Sequence, residues 1–274
     1  MKPKKIKVIP LGSRGWIPAG NRQTGCYAVE YRDRLLVLDA GSGMARFTEP
    51  PGQAILSRYD TVYLLLSHYH LDHIAGLIYM PAIFRGKTVH IAAPGRAIYP
   101  GSSQDILTAL IQPPYFSRPL MQFPMELYFH NLAVGASDLD GMPVETIFQP
   151  HSDPSLGIRI DQTICYLTDT PCQESALDFC RGARLLLHEA WLDEGDYREL
   201  QSRQQTSPDA RKHLETHARA AAAAELARKA GVDSLLLIHL NPTYDEARLR
   251  EMENFCQKIF VPTFLARDGQ SLEI

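Results

Sequence analysis

The chain has 274 residues, of which 45% are hydrophobic and 22% are charged, and these values are close to those of ordinary globular proteins. They exclude a disordered, collagen-like or coiled-coil protein, and the length predicts one large domain or two small ones. The net charge of −3 excludes an electrostatic field over the whole molecule that would attract nucleic acid or an anionic membrane.

Short apolar segments separated by turns and helices predict strands, in chain order, at residues 7–12, 27–31, 35–39, 62–66, 89–92, 164–167, 184–187 and 234–238. The uninterrupted apolar run at 62–66 is typical of a strand buried on both faces. The strongest helix prediction covers 216–229, with Thr216 as its N-cap and Gly231 just beyond its end. Residues 98–125 are rich in proline, serine and aromatic residues and predict a long loop or flap outside the core. We therefore expect a single α/β domain spanning residues 1–274.

The location of the protein is predicted from three features. No apolar run approaches the roughly 20 residues of a membrane-spanning helix. The start of the chain is basic, but the apolar stretch behind Met1–Lys5 is too short for a secretory signal. The five cysteines are an odd number and lack the C-x-x-C spacing, which argues against a disulfide framework or a cysteine-based zinc site. We expect a cytoplasmic protein without a membrane partner.

A cluster of metal-binding residue types follows the predicted strand at 62–66. His68, His70, Asp72 and His73 form the pattern H-x-H-x-D-H. Imidazole nitrogens and carboxylate oxygens are the donors that zinc and similar divalent ions accept. His68 and His70 are two positions apart on an extended segment, so they point the same way and can share one ion. Asp72 and His73 can face a second ion.

This pattern resembles the signature of the metallo-β-lactamase superfamily of metal-dependent hydrolases. The resemblance covers nearly the whole chain, because further positions of the family pattern follow in order. It implies the metallo-β-lactamase fold, a four-layer αββα sandwich with two divalent ions at one edge of its two sheets, and Asp39 resembles the family's supporting aspartate. The implied ligands are His68, His70 and His151 for one ion, Asp72, His73 and His239 for the other, and Asp169 for both.

Two further segments resemble the phosphodiesterase branch, which includes ribonuclease Z and cyclic-phosphate phosphodiesterases. In that branch a glutamate after a strand orients a histidine that is not a ligand, and Glu189 and His217 match these positions. The implied catalytic residues are His217 as general acid, Glu189 as its partner and Asp72 beside the metals. Phosphodiester cleavage needs such an acid, because the departing alkoxide is a poor leaving group. Ala218 departs from the family pattern, which has serine after the histidine.

The resemblance implies a dinuclear hydrolase in which a metal-bridging hydroxide attacks a small or cyclic phosphodiester, for example a nucleotide. Ribonuclease Z, a tRNA 3′-processing endonuclease, is the first alternative. His151 and Asp169 are only 18 residues apart, which leaves no room for the arm with which bacterial forms bind tRNA. The near-neutral net charge also argues against a large nucleic acid as substrate.

Two functions of different classes stay open as well. A thioesterase or lactonase resembling glyoxalase II uses the same metals without a leaving-group acid, and a non-catalytic metal-binding protein would need only the fold. Zinc is the default metal because histidine dominates the ligands, and manganese or iron suit the carboxylates nearly as well. Four basic residues near His217 form either a solvated helix face or a phosphate-binding rim: Arg211, Lys212, His213 and Arg219. The oligomeric state, including a homodimer, is left open.

Overall fold

The structure is a computed structural model that describes residues 5–274, so the basic start at Met1–Lys4 lies outside the described residues. The strands are β1 (Ile6–Gly12), β2 (Cys26–Tyr31), β3 (Arg34–Leu38), β4 (Thr61–Leu65), β5 (Thr88–Pro94), β6 (Glu126–Leu132), β7 (Gly135–Leu139), β8 (Met142–Gln149), β9 (Ser155–Ile160), β10 (Ile164–Leu167), β11 (Leu185–Glu189), β12 (Ser234–Ile238), β13 (Thr263–Leu265) and β14 (Leu272–Glu273).

The α-helices are α1 (Pro50–Leu56), α2 (Leu71–Ile74), α3 (Met80–Ile83), α4 (Ser103–Leu110), α5 (Ser175–Cys180), α6 (Glu194–Arg203), α7 (Pro208–Thr216), α8 (Ala220–Ala230) and α9 (Glu246–Ile259). Short 3₁₀ helices occur at Ser42–Thr48, Ala75–Tyr79 and Leu120–Gln122. Between residues 5 and 274, every helix is too short or too polar to span a bilayer.

The chain divides into two compact units, and the N-terminal unit comprises the chain up to Ser13, Gly20–Ala133 and Arg267–Ile274. Its sheet has the strand order β14-β1-β2-β3-β4-β5-β6. Strands β3 to β6 run parallel, whereas β14, β1, β2 and β3 pair antiparallel. Apolar side chains on one face of this sheet pack against α1, α3 and α4 in a buried core. The parallel part brings the ends of β3 and β4 to the same edge.

The C-terminal unit comprises Arg14–Ala19 and Val134–Ala266. Its sheet has the order β13-β12-β11-β10-β9-β8-β7, with β10 to β13 parallel and β7 to β10 antiparallel. Alanines of α8 and apolar residues of α5 and α9 form its core on one face of the sheet. The carboxyl ends of β10, β11 and β12 therefore meet at one edge, where sheet-based sites are commonly built.

The predicted strands are confirmed, with ends shifted by at most two residues. The hydrophobic pattern missed β6 to β9, β13 and β14, most of which are short or carry exposed side chains on alternate positions. Each unit consists of a mixed sheet packed against helices. An αββα sandwich contains two such αβ layers. That residues 1–274 act as a single domain stays a prediction.

The prediction of a long loop at 98–125 is wrong. This segment contains α4 and a short 3₁₀ helix, and Leu107 and Leu120 are fully buried in the core of the N-terminal unit. The helix begins at a capping box, in which the Ser102 hydroxyl accepts from the Asp105 amide and the Asp105 carboxylate accepts from the Ser102 amide. This Ser-x-x-Asp signal was present in the sequence and outweighs the surrounding prolines.

The predicted start of the alanine-rich helix at Thr216 is also wrong. Thr216 is the last residue of α7, and its hydroxyl donates back to the Lys212 carbonyl at 2.8 Å. His217 is extended, with φ −134° and ψ 147°, and α8 begins only after Arg219. The end of the helix is as predicted, because Gly231 adopts the left-handed conformation with φ 65°. His217 therefore lies in a short extended link between two helices.

Candidate metal and catalytic centre

The segment of the N-terminal unit that carries the H-x-H-x-D-H pattern, residues 68–73, is called the histidine loop; it follows β4 and continues into α2. His68 and His73 are fully buried, whereas His70 and Asp72 are partly exposed. One ligand atom of His68 lies within 4.8 Å of one of His70, and the same holds for Asp72 and His73. The two pairs assigned from sequence spacing are therefore pairs in space.

Asp39 organises this loop from the end of β3. One carboxylate oxygen accepts from the Ser67 amide at 2.7 Å, and the other lies 2.8 Å from the Ser67 hydroxyl and 2.7 Å from His73 Nδ1. The Ser67 hydroxyl in turn lies 3.0 Å from His68 Nδ1. Because the Nδ1 atoms of both histidines face acceptors in this network, their Nε2 lone pairs are left for a metal ion. Asp39 thus fixes the tautomers of two candidate ligands.

Three functional positions of the C-terminal unit lie at the ends of adjacent parallel strands. Glu189 ends β11, His239 follows β12, and Asp169 lies two residues past β10. Asp169 and His239 have left-handed backbones, with φ 51° and 49°, as does Asp39, with φ 55°. Such conformations cost about 1–2 kcal/mol for residues other than glycine, and they are concentrated at functional sites. The left-handed backbone at the ends of these strands therefore sets the direction of the side chains that follow them.

Asp169 has the geometry expected of a carboxylate shared by two ions. Its Oδ1 lies 3.3 Å from His151 Nε2, and its Oδ2 lies 3.3 Å from His239 Nε2. Two ligands bound at about 2.1 Å to one tetrahedral ion are separated by roughly 3.4 Å, so each pair fits one ion. His151 Nδ1 faces the carbonyl oxygen of Thr216 at 3.4 Å, which leaves Nε2 as its donor atom. The donor set of this unit therefore fits two divalent ions.

Glu189 connects the strand edge to His217. It is fully buried, and its Oε1 lies 2.9 Å from His217 Nδ1 and accepts from the Ala218 amide at 3.0 Å. Its Oε2 accepts from the Thr170 amide at 3.0 Å. Burial raises the pKa of the Glu189 carboxyl, while the neighbouring His239 opposes the rise. Ala218 contributes its backbone N–H here, so this contact to Glu189 needs no side chain at position 218.

Trp191 is part of this site, although the sequence pattern gave it no role. Its ring stacks on His217, with centroids 4.7 Å apart and planes 18° from parallel, and it also lies 5.4 Å from the His239 ring. Trp191 is 7% exposed. The only sequence signal was an aromatic residue two positions after Glu189, which cannot be distinguished from an ordinary core residue.

The glycine-rich segment after β1 contacts the turn that carries His239. Arg14 is buried and donates to the carbonyl oxygens of Asn241 and Tyr244 at 2.6 and 2.7 Å. A Cβ atom at Gly15 would lie only 2.3–2.6 Å from three atoms of the His239 ring. Glycine is required at this position because the backbone approaches the imidazole so closely.

Several other residues singled out in the sequence lie away from these groups or have other partners. Arg219 is paired with Glu194 and Glu225 and lies over the Tyr197 ring, which argues against its part in a phosphate-binding rim. Within residues 98–125, which the sequence predicted as a loop or flap, Tyr115 is 78% exposed, whereas Phe116 packs against the core of the N-terminal unit.

Comparison with known proteins identifies the family. A profile described as a β-lactamase superfamily domain matches residues 34–240, which is most of the chain. The chain belongs to the β-lactamase superfamily. The predicted superfamily is thereby confirmed, and so is the prediction that the chain is a metal-dependent hydrolase.

Individual relatives and solved structures are similar to this chain over nearly its full length. The chain is 25% identical to the ribonuclease Z of Methanopyrus kandleri, with 96% of each chain aligned. It matches the metallo-β-lactamase fold protein YhfI of Bacillus subtilis with a TM-score of 0.72 and 21% identity, over 99% of this chain and 100% of the other. A diphosphatase of the PhnP family matches with a TM-score of 0.66 and 18% identity, over 99% and 98% of the two chains. These structures confirm the predicted αββα fold class.

Proposed function

We propose that the protein is a dinuclear metal-dependent phosphodiesterase that acts on a small or cyclic phosphodiester, with His217 as general acid. The observation that carries the proposal is the contact between His217 Nδ1 and the buried Glu189 carboxylate, in the same unit as a carboxylate placed between two histidines. A thioesterase or lactonase has no need of such a histidine, because its leaving group departs without a strong acid.

The ligand assignment from the sequence is retained as part of the proposal. His68, His70 and His151 are proposed for one ion, Asp72, His73 and His239 for the other, and Asp169 for both. Zinc is the proposed metal, because imidazole nitrogen is the commonest donor in the set, and manganese or iron would also suit it. When bound, the ions supply an activated water and neutralise charge on the phosphate.

The protein's own residues perform the remaining chemistry. Attack by water oxygen on phosphorus breaks the bond to the leaving oxygen, and that oxygen must acquire a proton. With Nδ1 facing Glu189, the Nε2 atom of His217 is the one that can deliver the proton. Glu189 stabilises the protonated ring, and the stacked indole of Trp191 holds its plane.

Ribonuclease Z activity is the second candidate, and the full-length similarity to the Methanopyrus protein favours it. The interval between His151 and Asp169 holds only β9, β10 and their turns. A protruding tRNA-binding arm does not fit in this interval, so we favour a smaller substrate. The cytoplasmic location stays a prediction from the sequence.

The proposal is tested with the metal-loaded enzyme and bis(p-nitrophenyl) phosphate. His217→Ala should keep both ions but lose roughly 10²–10⁴-fold in kcat, the range for removal of a general acid or base. His90→Ala, which removes an imidazole on β5 outside the proposed site, is the matched control. Full activity of the His217 variant, or turnover of thioesters without any turnover of phosphodiesters, would show that the proposal is wrong. A precursor tRNA assayed in parallel decides between the two candidates.

A further inference from the structure

A tight turn with a strained backbone lies next to the proposed ligand His239. The Ile17 amide donates to the Gly15 carbonyl at 2.8 Å, which closes a γ-turn around Trp16, and Trp16 has φ 61°. A γ-turn with positive φ at its central residue is rare and strained, and a bulky residue seldom occupies it. Glycine would adopt this backbone without strain. Strain at a large side chain in such a turn points to a function of the side chain itself.

The turn is fixed to the segment that carries His239. The Gly15 amide donates to the Leu240 carbonyl at 3.1 Å, and the buried Arg14 donates to two further carbonyl oxygens of the same segment. A Cβ atom at Gly15 would lie 2.3 Å from the His239 ring, and consecutive Cα atoms are ~3.8 Å apart, so the Trp16 Cα lies within roughly 8 Å of that ring. Trp16 therefore belongs to the immediate surroundings of a proposed metal ligand.

The side chains of the turn are apolar and exposed. Trp16 is 66% exposed, Ile17 is 45% exposed, and Pro18 is exposed as well. The segment Trp16–Ala19 contains no charged residue. Burial within the protein does not account for two large apolar side chains here, whereas contact with an apolar ligand would remove them from water. Such a surface favours an uncharged alkyl or aryl group and disfavours a charged group, which would lose its hydration.

We propose that the turn at residues 15–17 contacts an apolar substituent of the phosphodiester, and that Trp16 determines this specificity. The inference rests on the proposed phosphodiesterase function and names its substrate class: phosphodiesters in which one esterified group is an uncharged alkyl or aryl group. A fully buried methylene raises affinity about fourfold, so a substituent that the turn covers in part should gain about twofold per methylene.

Direct binding of dialkyl phosphates tests the turn without catalytic turnover. The two esterified groups of such a ligand are identical, so either orientation of the phosphate presents the same group to the turn. In isothermal titration of the metal-loaded protein, dibutyl phosphate should bind about tenfold more tightly than dimethyl phosphate, because each butyl group has three more methylenes. Trp16→Gly accepts the same backbone but removes the indole, so the ratio of the two dissociation constants should fall to about threefold or less.

Two further variants complete the measurement. Val261→Ser, at a side chain of the same unit that is 81% exposed, is the matched control and should keep the ratio of the parent. Ile17→Ser should lower the ratio by less than Trp16→Gly does, and it leaves the strained position intact. A purely structural turn would change both dissociation constants equally, so an unchanged ratio in Trp16→Gly would overturn the inference.

The outcomes separate this inference from the proposed function. Turnover of bis(p-nitrophenyl) phosphate with equal affinities for the two dialkyl phosphates, or with no binding of dibutyl phosphate, would contradict the role of the turn alone. Binding that tightens with chain length and depends on Trp16, without turnover of any phosphodiester, would contradict the phosphodiesterase function alone.

Discussion

The two units provide their candidate metal ligands in opposite ways. In the N-terminal unit the four ligands lie within six consecutive positions: His68 and His70 are on the loop after β4, and Asp72 and His73 are in the short helix α2 that follows it. In the C-terminal unit His151, Asp169 and His239 follow three different strands. The first group is positioned mainly by local backbone geometry, whereas the second depends on the strand order and register of a sheet. A site assembled in the second way is sensitive to distant packing.

The two units nevertheless use the same supporting device. In each, a buried carboxylate at the end of a parallel strand faces a histidine Nδ1 and accepts from a backbone N–H: Asp39 faces His73 at 2.7 Å, and Glu189 faces His217 at 2.9 Å. In the N-terminal unit the oriented histidine is a proposed ligand, and in the C-terminal unit it is the proposed acid. One arrangement thus fixes a tautomer for two different chemical roles.

The largest expected effect comes from Asp169, the carboxylate of the C-terminal unit that is proposed to be shared by both ions. Asp169→Ala should abolish the binding of both ions and lower kcat by about 1,000-fold or more, equivalent to roughly 4 kcal/mol of transition-state stabilisation. Elemental analysis after dialysis, together with the phosphodiesterase rate, measures both quantities. Asp178→Ala, at an exposed carboxylate of α5, is the control. Retention of two ions by the Asp169 variant would show that this carboxylate is not shared.

A smaller effect is expected from Asp39, which supports the ligands at residues 68–73 of the N-terminal unit. Asp39→Asn keeps the size of the side chain but removes the charge that faces Ser67 and His73, so we expect metal affinity to fall about 10–100-fold. Competition with a chromophoric chelator measures this affinity. Asp33→Asn, at an exposed turn, should have no effect. An equal affinity in the two variants would mean that the loop holds its ligands without Asp39.

Gly15→Ala tests the ligand His239 of the C-terminal unit through packing, because it changes neither a charge nor a ligand. The new methyl group must displace the His239 ring, and we expect about a tenfold loss of affinity for one ion with the other retained. Gly25→Ala is the matched control, because its added Cβ would come no closer than 3.8 Å to the nearest side chain. Isothermal titration with zinc resolves the two binding steps. Two unaltered steps would show that His239 can shift without cost to the metal.

The last prediction concerns the free energy of unfolding and its dependence on pH, and it does not involve metal binding. Burial lowers the pKa of His188 to about 4, below the ordinary value of about 6.5 in the unfolded chain. The unfolded state therefore takes up a proton first, so stability is fully present above pH 6.5 and is lost as the pH falls towards 4. By linkage the loss from pH 7 to pH 5 is about 2 kcal/mol.

Urea unfolding of chelated, metal-free protein at pH 7 and pH 5 measures this loss, with His188→Gln as the comparison. The difference between wild type and variant in the pH-dependent part of the free energy of unfolding isolates the contribution of His188. Identical pH dependence in the two proteins would show that His188 titrates normally in the folded state.

The success of prediction from sequence differs between the two groups for a physical reason. His68 to His73 form a pattern because a strand and a tight turn place neighbouring residues on one ion, so spacing carries the geometry. His151, Asp169 and His239 were assigned only through the family resemblance, since nothing local links them. Trp191 was missed because an aromatic residue after a strand usually belongs to the core.

The two wrong predictions also have physical causes. Thr216 has the chemistry of an N-cap, but the residues after it are held extended by Glu189, which accepts from the Ala218 amide 29 positions away. In residues 98–125, proline content suggested a loop, whereas the capping box at Ser102 and the burial of Leu107 determine a helix. In the first case a tertiary contact overrode a local capping signal. In the second case the capping signal determines the structure, and the prediction gave more weight to composition.

The sequence by itself determined eight of the fourteen strands in the described residues, the histidines and aspartate between His68 and His73, and the membership of a hydrolase superfamily, because each depends on hydrophobic periodicity or on residues close together in the chain. Only the tertiary structure decided that Asp169 lies between two histidines, that Trp191 stacks on His217 and that Gly15 lies against the His239 ring. These contacts depend on which strands become neighbours in a sheet and in what register, and that is a property of the whole fold.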